Sequence, residues 1–321
     1  MAGSSGAGGV IVCFDIGGTT IKGAYAHGPQ EVVPVPRVPT PIDDFDEFVR
    51  QLAAVIKAAP QKPSCVALSI AGIVDPDINT MIVANIPCIH GRNLVADLER
   101  LLKLPVVVAN DADCFALTEA TYGAGKGHDI VFGAILGSGV GGGLVVRGEL
   151  INQNGGYAGE WGHGPISAIQ AGVPARSVPQ FACGCGQTGC LDAICSARGL
   201  ERIHHHLHSR NLTSLEIIDC WEQGNEQAEK TISVYVDLLT GPLAVLVNLT
   251  GASLIPVGGG LSNASGLIKR LDEQTRARTL RKFRWPLVVP AQARVEPGLI
   301  GAAILGFQRL EQALEMPKAE A

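Results

Sequence analysis

Two segments of the chain share one plan, an apolar run followed by a glycine-rich turn and a second apolar run. The first is VIVCFDIGGTTIKGAYA over 10–26 and the second is IVFGAILGSGVGGGLVV over 130–146. A continuous apolar run of about five residues reads as a buried strand, and two such runs joined by glycines read as a hairpin. Around the first hairpin, VVPVPRV (32–38) reads as a third strand whose prolines suit a sheet edge, and CVALSIAG (65–72) and PVVVAN (105–110) read as further strands. Asp43 or Asp44 can cap a helix running to about Ala59, and further helices are expected near 93–103 and 112–123. Strands and helices that alternate in this way indicate α/β layers. The second hairpin starts a second sheet, followed by a loop-rich stretch over 150–195, mostly helix over 197–249, a strand at SLIPV (253–257) and helices over 263–277 and 298–314.

A chain of 321 residues, 46% of them hydrophobic, can bury a large core, and its length points to two lobes rather than one domain. With 25 basic against 30 acidic residues and a net charge of −5, it offers no long-range attraction to nucleic acid or anionic lipid. Small molecules, or a second copy of the chain, are the expected partners. The stretch between Asp237 and Lys269 is uncharged, but Gly241–Pro242, Asn248, Gly251 and the glycines at 258–260 are expected to divide it into a buried helix and a buried strand, with no membrane span. MAGSSGAGG lacks the basic and apolar regions of a secretion signal and reads as a flexible leader. A cytoplasmic, reducing location follows, in which nine cysteines, an odd number, are thiols or ligands rather than disulfides.

The glycines cluster where loops would approach ligands. In DIGGTTIK (15–22), Gly17 and Gly18 leave backbone N–H groups uncovered, Thr19 and Thr20 add hydroxyls, and Asp15 ends the strand where a carboxylate could hold hydrated Mg²⁺. An ordinary turn with an Asx-type hydrogen bond fits the same residues. GSGVGGG (137–143) is a second such loop, without the context of a Rossmann or Walker motif. VGGGLS (257–262) leads from a strand towards a helix, where a purine could lie against bare backbone. One phosphate loop in each lobe points to a nucleotide held between them. CGCGQTGC (183–190) gives C-x-C-x₄-C, and His163 in GEWGHG could add a fourth ligand. The spacing leaves three readings open: a zinc site, a thiol redox pair and unliganded thiols.

DIGGTTIK, NDADCFAL (110–117), GSGVGGG, GEWGHG (159–164), CGCGQTGC and VGGGLS, in this order, resemble the ROK family of sugar kinases, within the hexokinase and actin fold superfamily. The resemblance runs from about residue 10 to 310. Within the family it is nearest to the bacterial N-acetylglucosamine kinases, through NIP (85–87), NDADCFAL and ILGSGVGGGL. It implies an α/β, two-lobed, actin/hexokinase-like (ribonuclease H-like) fold with a cleft between the lobes. The expected plan is a leader at 1–9, a small α/β lobe of 10–115 plus about 296–321, and a large α/β lobe of 116–295 that carries the zinc loop.

The resemblance also implies roles. Asp111 is the expected catalytic base, with Asp113 as competitor and helix capping as the plain alternative for either. The acceptor sugar is expected at Gly72, Asn85, Asn110, Asp111, Glu160, His163 and Asp192, and ATP with Mg²⁺ at Asp15, Gly17, Gly18, Thr19, Thr20, Lys22, Gly137, Ser138, Gly139, Gly259 and Gly260. His163, Cys183, Cys185 and Cys190 are expected to bind a structural Zn²⁺ that fixes one imidazole nitrogen and leaves the other for a sugar hydroxyl. Three positions depart from the family pattern: Asp192 stands for a Glu, Ser138 for a Thr, and SIAG (69–72) for a Pro-Gly form.

The activity implied is ATP-dependent phosphorylation of the 6-hydroxyl of N-acetylglucosamine, by a homodimer. Glucose and N-acetylmannosamine are alternative acceptors, and ROK relatives also include sugar-responsive repressors. Only 14 residues precede Asp15, too few for a helix-turn-helix module, so the kinase reading is preferred. HHHLH (204–208) reads as a solvated or partly buried helix, the basic RARTLRKFR (276–284) as a charged helix end, and Cys13, Cys65, Cys88, Cys114, Cys195 and Cys220 as core thiols.

Overall fold

The apolar run that opens the chain forms a buried strand, β1 (Ile11–Ile16), and the turn after it returns the chain as β2 (Thr20–Gly28). The computed structural model describes residues 9–165, 168, 170–293 and 295–315; apart from Gly9, the expected leader lies outside them. In chain order there follow β3 (Glu31–Pro34), β4 (Val38–Pro39), α1 (Phe45–Lys57), β5 (Cys65–Ile70), β6 (Ile73–Asp75), β7 (Thr80–Ile82), α2 (Leu94–Leu102), β8 (Val106–Asn110) and α3 (Asp111–Tyr122). Next come β9 (Ile130–Leu136), β10 (Val140–Val146), β11 (Glu149–Leu150), β12 (Gln170–Ala171), β13 (Arg176–Ser177), α4 (Leu191–Cys195), α5 (Ala197–His208), α6 (Ser214–Glu222) and α7 (Glu226–Thr250). The last elements are β14 (Ile255–Gly258), α8 (Ser265–Arg278), β15 (Val288–Pro290) and α9 (Pro297–Glu315).

Among the described residues, the chain divides into two compact units, one drawn from 9–118, 151–157 and 295–315, the other from 119–150 and 158–293. The expected large lobe ran unbroken from 116 to 295, whereas 151–157 packs with the first unit. Asn152 Nδ2 donates to Asp113 at 3.0 Å, the Gly156 N–H to the Val74 carbonyl at 3.0 Å, and Tyr157 Oη to Asp75 at 2.7 Å.

The first unit holds a sheet ordered β3-β2-β1-β5-β8, with β4 also paired to β2. β1 and β2 are antiparallel, whereas β1, β5 and β8 are parallel. Parallel strands are covered on both faces, and all six residues of β5 are buried. Val12, Phe14 and Ile16 pack with Phe48 and Leu52 of α1 and Leu94 and Leu98 of α2; Ile11 and Cys13 pack with Leu299, Ala302 and Ala303 of α9. Because Ile16 pairs with Ile70 and Ile70 with Asn110, three strands end at one edge. Loops leaving that edge converge, the usual location of ligand sites in α/β sheets.

In the second unit the sheet order is β11-β10-β9-β14-β15. β9 and β10 repeat the antiparallel hairpin, and β14 runs parallel to β9, so the turns after Leu136 and Gly258 also share an edge. Helix α7 corrects the expected break at Gly241–Pro242, since it continues through Pro242 to Thr250. It is long and apolar enough to cross a membrane, yet Ile232, Tyr235, Leu239, Leu243 and Val247 face the unit's core at helical spacing. Tertiary packing offsets the hydrogen bond that proline removes. Cys13, Cys65, Cys114 and Cys195 are buried as expected, but Cys88 and Cys220 are only half-buried.

The histidine run of α5 is partly buried. His204 is 1% exposed and shares a 2.9 Å hydrogen bond with Thr231 Oγ1, which itself donates to the Gln227 carbonyl at 3.1 Å. The imidazole is therefore the donor, at Nδ1, and its Nε2 has no partner. Burial, and then the neighbouring His208 and Arg210, lower its pKa. The folded state thus favours neutral His204: its contribution is full above the unfolded value of about 6.5 and is lost as pH falls towards the lower folded value. The thermal midpoint is expected to drop between pH 7.5 and 5.5, and His204→Asn, which keeps a neutral donor, should make that drop smaller.

Candidate functional site

The residues singled out in the sequence fall into two groups, one in each unit. In the first, Asp15 is the last-but-one residue of β1. Its Oδ1 accepts from Ser69 Oγ at 3.0 Å, and its Oδ2 pairs with Lys22 Nζ at 2.9 Å. Lys22 also pairs with Glu296 at 2.9 Å, and Arg37 pairs with the other oxygen of Glu296. Desolvation opposes both shifts, yet the two carboxylates raise the Lys22 pKa and the two cations lower that of Glu296. Helix α9 begins beside this network: a Cβ on Gly298 would lie 2.6 Å from the Asp15 carboxylate. A helix N-terminus favours a negative charge there.

The turn after β1 is closed by the Gly17 N–H donating to the Thr20 carbonyl at 3.1 Å. Thr40 braces it, with Oγ1 donating to Gly17 O at 2.7 Å and N–H to Thr19 O at 3.0 Å. Asn85 lies against the same turn, since a Cβ on Gly18 would stand 2.9 Å from the Asn85 Cβ and 3.1 Å from its carbonyl oxygen. The DIGGT and NIP motifs are thus neighbours. At the end of β8, Asn110 Nδ2 donates to the Gly72 carbonyl at 3.0 Å, and its Oδ1 accepts the Ala112 N–H at 2.8 Å.

Asp111 and Asp113 both lie in the first turn of α3, where the helix dipole favours carboxylates. They differ in surroundings. Asp113 is 3% exposed and holds Asn152, whereas Asp111 is solvent-exposed and accepts the Ala112 N–H at 2.9 Å. Only the exposed one can meet a ligand without dismantling the packing of 151–157.

In the second unit, Gly137 N–H donates to Gly139 O at 2.9 Å, closing the turn between β9 and β10 with Ser138 exposed at its tip. Gly259, at φ +84°, presses on this turn: a Cβ there would overlap the Leu136 carbonyl and come within 2.8 Å of Gly137 N. The two glycine loops are therefore in backbone contact. GEWGHG lies flat along β10, because side chains on Gly159 and Gly162 would overlap the carbonyls of Gly142 and Val140. Trp161 fixes the segment by donating from Nε1 to Gly141 O at 2.8 Å, with its ring edge-on to Phe132 at 5.8 Å. Glu160 and His163 are carried on this strap. Burial raises the Glu160 pKa, His163 opposes that shift, and Asp192 adds to it.

The cysteine loop turns at Gly186 (φ +90°) and Gly189 (φ +80°). Its three sulfurs and a His163 ring nitrogen all lie within 4.8 Å of one another. Cys183 Sγ is 3.7 Å from His163 Nδ1, and Cys185 Sγ is 3.6 Å from Cys190 Sγ. The N–H of Gln187 holds Cys185 below the ordinary thiol range. His163 Nε2 faces away, 3.8 Å from Glu160 Oε2.

A model of the ROK family matches residues 11–309. The chain belongs to the ROK family. This ROK protein is 34% identical over 295 residues, 91% of its length and 97% of the relative's, to the N-acetyl-D-glucosamine kinase of Escherichia fergusonii. Among solved structures, its fold is similar to a ROK hexokinase from Thermus thermophilus (TM-score 0.80, 27% identity, 94% of this chain and 99% of that one). It is also similar to a ROK glucokinase from Streptomyces griseus in complex with glucose and AMPPNP (TM-score 0.71, 27% identity, 94% and 100%).

The four donors of this ROK protein suit a zinc-like ion. Tetrahedral Zn–S bonds of about 2.3 Å separate sulfurs by about 3.8 Å, close to the 3.6 Å between Cys185 and Cys190 Sγ. Such an ion would bind three sulfurs and Nδ1, with the thiol protons released to solvent as thiolates form, leaving His163 Nε2–H as a donor. Sequence reasoning missed Thr40 and Ser69, which hold the turn and Asp15; Glu296, which holds Lys22; and Gly298, which leaves room for the Asp15 carboxylate. Ser69 alone left a trace, as part of the departure at SIAG. The purified chain is expected to carry about one zinc-like ion, and Cys190→Ala, which removes a buried ligand, should lower metal content severalfold as measured by elemental mass spectrometry.

Proposed function

We propose that this chain transfers the γ-phosphoryl group of ATP to the 6-hydroxyl of N-acetylglucosamine, giving N-acetylglucosamine 6-phosphate and ADP. The substrate follows from the relative of that activity, which matches over nearly the full length of both chains. The observation that carries the chemistry is the pair of acidic residues at the start of α3: one is buried and engaged by Asn152, the other is exposed at the sheet edge where the Asp15 turn, Gly72 and Asn110 also end. Phosphoryl transfer needs a positioned carboxylate to orient the hydroxyl and take its proton, together with groups that stabilise phosphate charge.

In this reading Asp111 accepts the proton of the 6-hydroxyl as the oxygen attacks the γ-phosphorus and the bond to the ADP oxygen breaks. Asn85, Asn110, Glu160 and His163 hold sugar hydroxyls, with Gly72 contributing backbone. The N–H and hydroxyl groups of Gly17, Gly18, Thr19, Thr20, Gly137, Ser138 and Gly139 receive phosphate oxygens, and Gly259 and Gly260 lie against the adenosine. Lys22 holds Asp15, whose oxygens suit Mg²⁺, and that ion would neutralise phosphate charge. Zinc in the Cys₃His cluster would keep His163 oriented as a donor.

A second acceptor, glucose, is favoured by the likeness to the Streptomyces griseus glucokinase. A cytoplasmic location is supported by nine free cysteines. A homodimer is supported by exposed Val245 and Leu249, one turn apart on α7.

ADP release with N-acetylglucosamine is expected to exceed that with glucose and N-acetylmannosamine in kcat/KM; no sugar-dependent ADP release from any of the three overturns the kinase reading. Asp111→Asn should lower kcat by about 10² or more while sugar affinity, measured calorimetrically, stays within a few-fold. Near-native turnover in that variant removes Asp111 from the role of base.

A further inference from the structure

Asp192 sits in the first turn of α4, two residues after the last cysteine of the loop. The sequence reading placed it among the sugar ligands. Its polar atoms are engaged elsewhere, Oδ2 with the Cys183 thiol, whose Sγ lies at 3.8 Å. The backbone N–H donates to Gly162 O at 2.9 Å, and Oδ1 accepts the N–H of Val140 at 2.7 Å. Val140 is the first residue of β10 after the glycine turn and is 5% exposed. The same carboxylate oxygen fills the space beside Gly139, where a Cβ would lie 2.7 Å from Oδ1. On the other side of the turn, Gly137 O accepts the N–H of Ala197 at 2.8 Å. The segment from Asp192 to Ala197 therefore grips the turn at both ends, once by a carboxylate and once by a backbone donor.

We infer that Asp192 is a positioning residue for the Gly137–Gly139 turn, so that its effect falls on the nucleotide rather than on the sugar. The inference rests on the ATP-dependent reading given above. Beyond its single Gly137–Gly139 hydrogen bond, a turn with a glycine at each end has little of its own to fix its dihedral angles, and donors aimed at phosphate are effective only when held in place beforehand. A hydrogen bond from a backbone N–H to an ionised carboxylate is among the stronger ones available for that purpose. The absence of a Cβ at Gly139 lets the carboxylate close over the turn. Asp192 then acts through Val140 and Gly139 without touching the phosphates. The link also gives the cysteine loop a route to the nucleotide, since Cys190 immediately precedes α4 and Asp192 follows it by two positions.

The test is the affinity of the purified, full-length chain for ADP and, separately, for N-acetylglucosamine, with thermal melts to verify folding. Asp192→Ala is expected to weaken ADP binding about tenfold, the scale of loss when a buried N–H is left without its acceptor, and to leave sugar affinity within twofold. Asp192→Asn, whose Oδ1 still accepts, should recover most of the ADP affinity. Gly139→Ala should also weaken ADP binding, and the Gly139→Ala/Asp192→Ala double variant should bind ADP no worse than the poorer single one, because both changes release the same contact. Additive losses, or a loss of sugar affinity with ADP binding intact, overturn the inference. Should Asp192→Ala not fold, Asp192→Asn and Gly139→Ala still decide: ADP affinity lost in the first, or kept in the second, overturns it. Native chain that binds ADP with all variants unchanged defeats this inference alone, whereas native chain that binds no ADP defeats the kinase reading with it.

Discussion

Backbone pressed directly against backbone is the constraint on which the second unit depends. Gly259 meets the carbonyl of Leu136, Gly162 that of Val140 and Gly159 that of Gly142, and at each place a side chain as small as alanine would overlap an oxygen. A layer of loop thus lies on the β9–β10 hairpin at a spacing only glycine permits. Because that layer carries Glu160 and His163, while the turn beneath carries Ser138, the groups proposed to bind sugar and nucleotide are fixed relative to one another within this unit. Trp161 adds the one large anchor, its indole N–H on Gly141 and its ring against Phe132.

The first unit reaches a similar end by charge. Its parallel strands finish level with one another, and the carboxylate at the end of β1 is held by a hydroxyl from β5, an ammonium from β2 and the start of α9. Half-buried ion pairs contribute modestly to stability, but here they restrict the geometry of one side chain. Glu296 is central to that restriction because it holds Lys22 and Arg37 together. Charge at Asp15 and close packing at the glycines thus solve the same problem, that of keeping polar groups oriented at the end of a sheet where regular hydrogen bonding stops.

The cysteine loop joins these themes. Its sulfurs and His163 gather at metal-ligand spacing, while two residues further on Asp192 is tied to the turn between β9 and β10. The loop is tied to that turn by a carboxylate, and its soft donors are gathered where a bound ion would staple the other side. Shortening Glu to Asp at this position changes what the side chain can reach, and in this protein it reaches the backbone of Val140.

Much of this was written in the chain. The two apolar-glycine-apolar segments determined two hairpins, because uncharged β-branched runs have no stable alternative to burial, and the order of the motifs determined the family. Cysteine spacing limited the metal reading to a few possibilities, and the acidic pair at 111 and 113 marked the start of a helix. Only the tertiary structure gave those two carboxylates different surroundings, burying Asp113 against Asn152, 39 residues away, and leaving Asp111 exposed. It likewise decided that α7 runs through Pro242, that 151–157 belongs with the first unit, and that Thr40, Ser69 and Glu296 brace the Asp15 turn. The physical reason is common to all of these: local sequence encodes propensity and periodicity, whereas burial and the partner of a polar group depend on residues that are distant along the chain and meet only after folding.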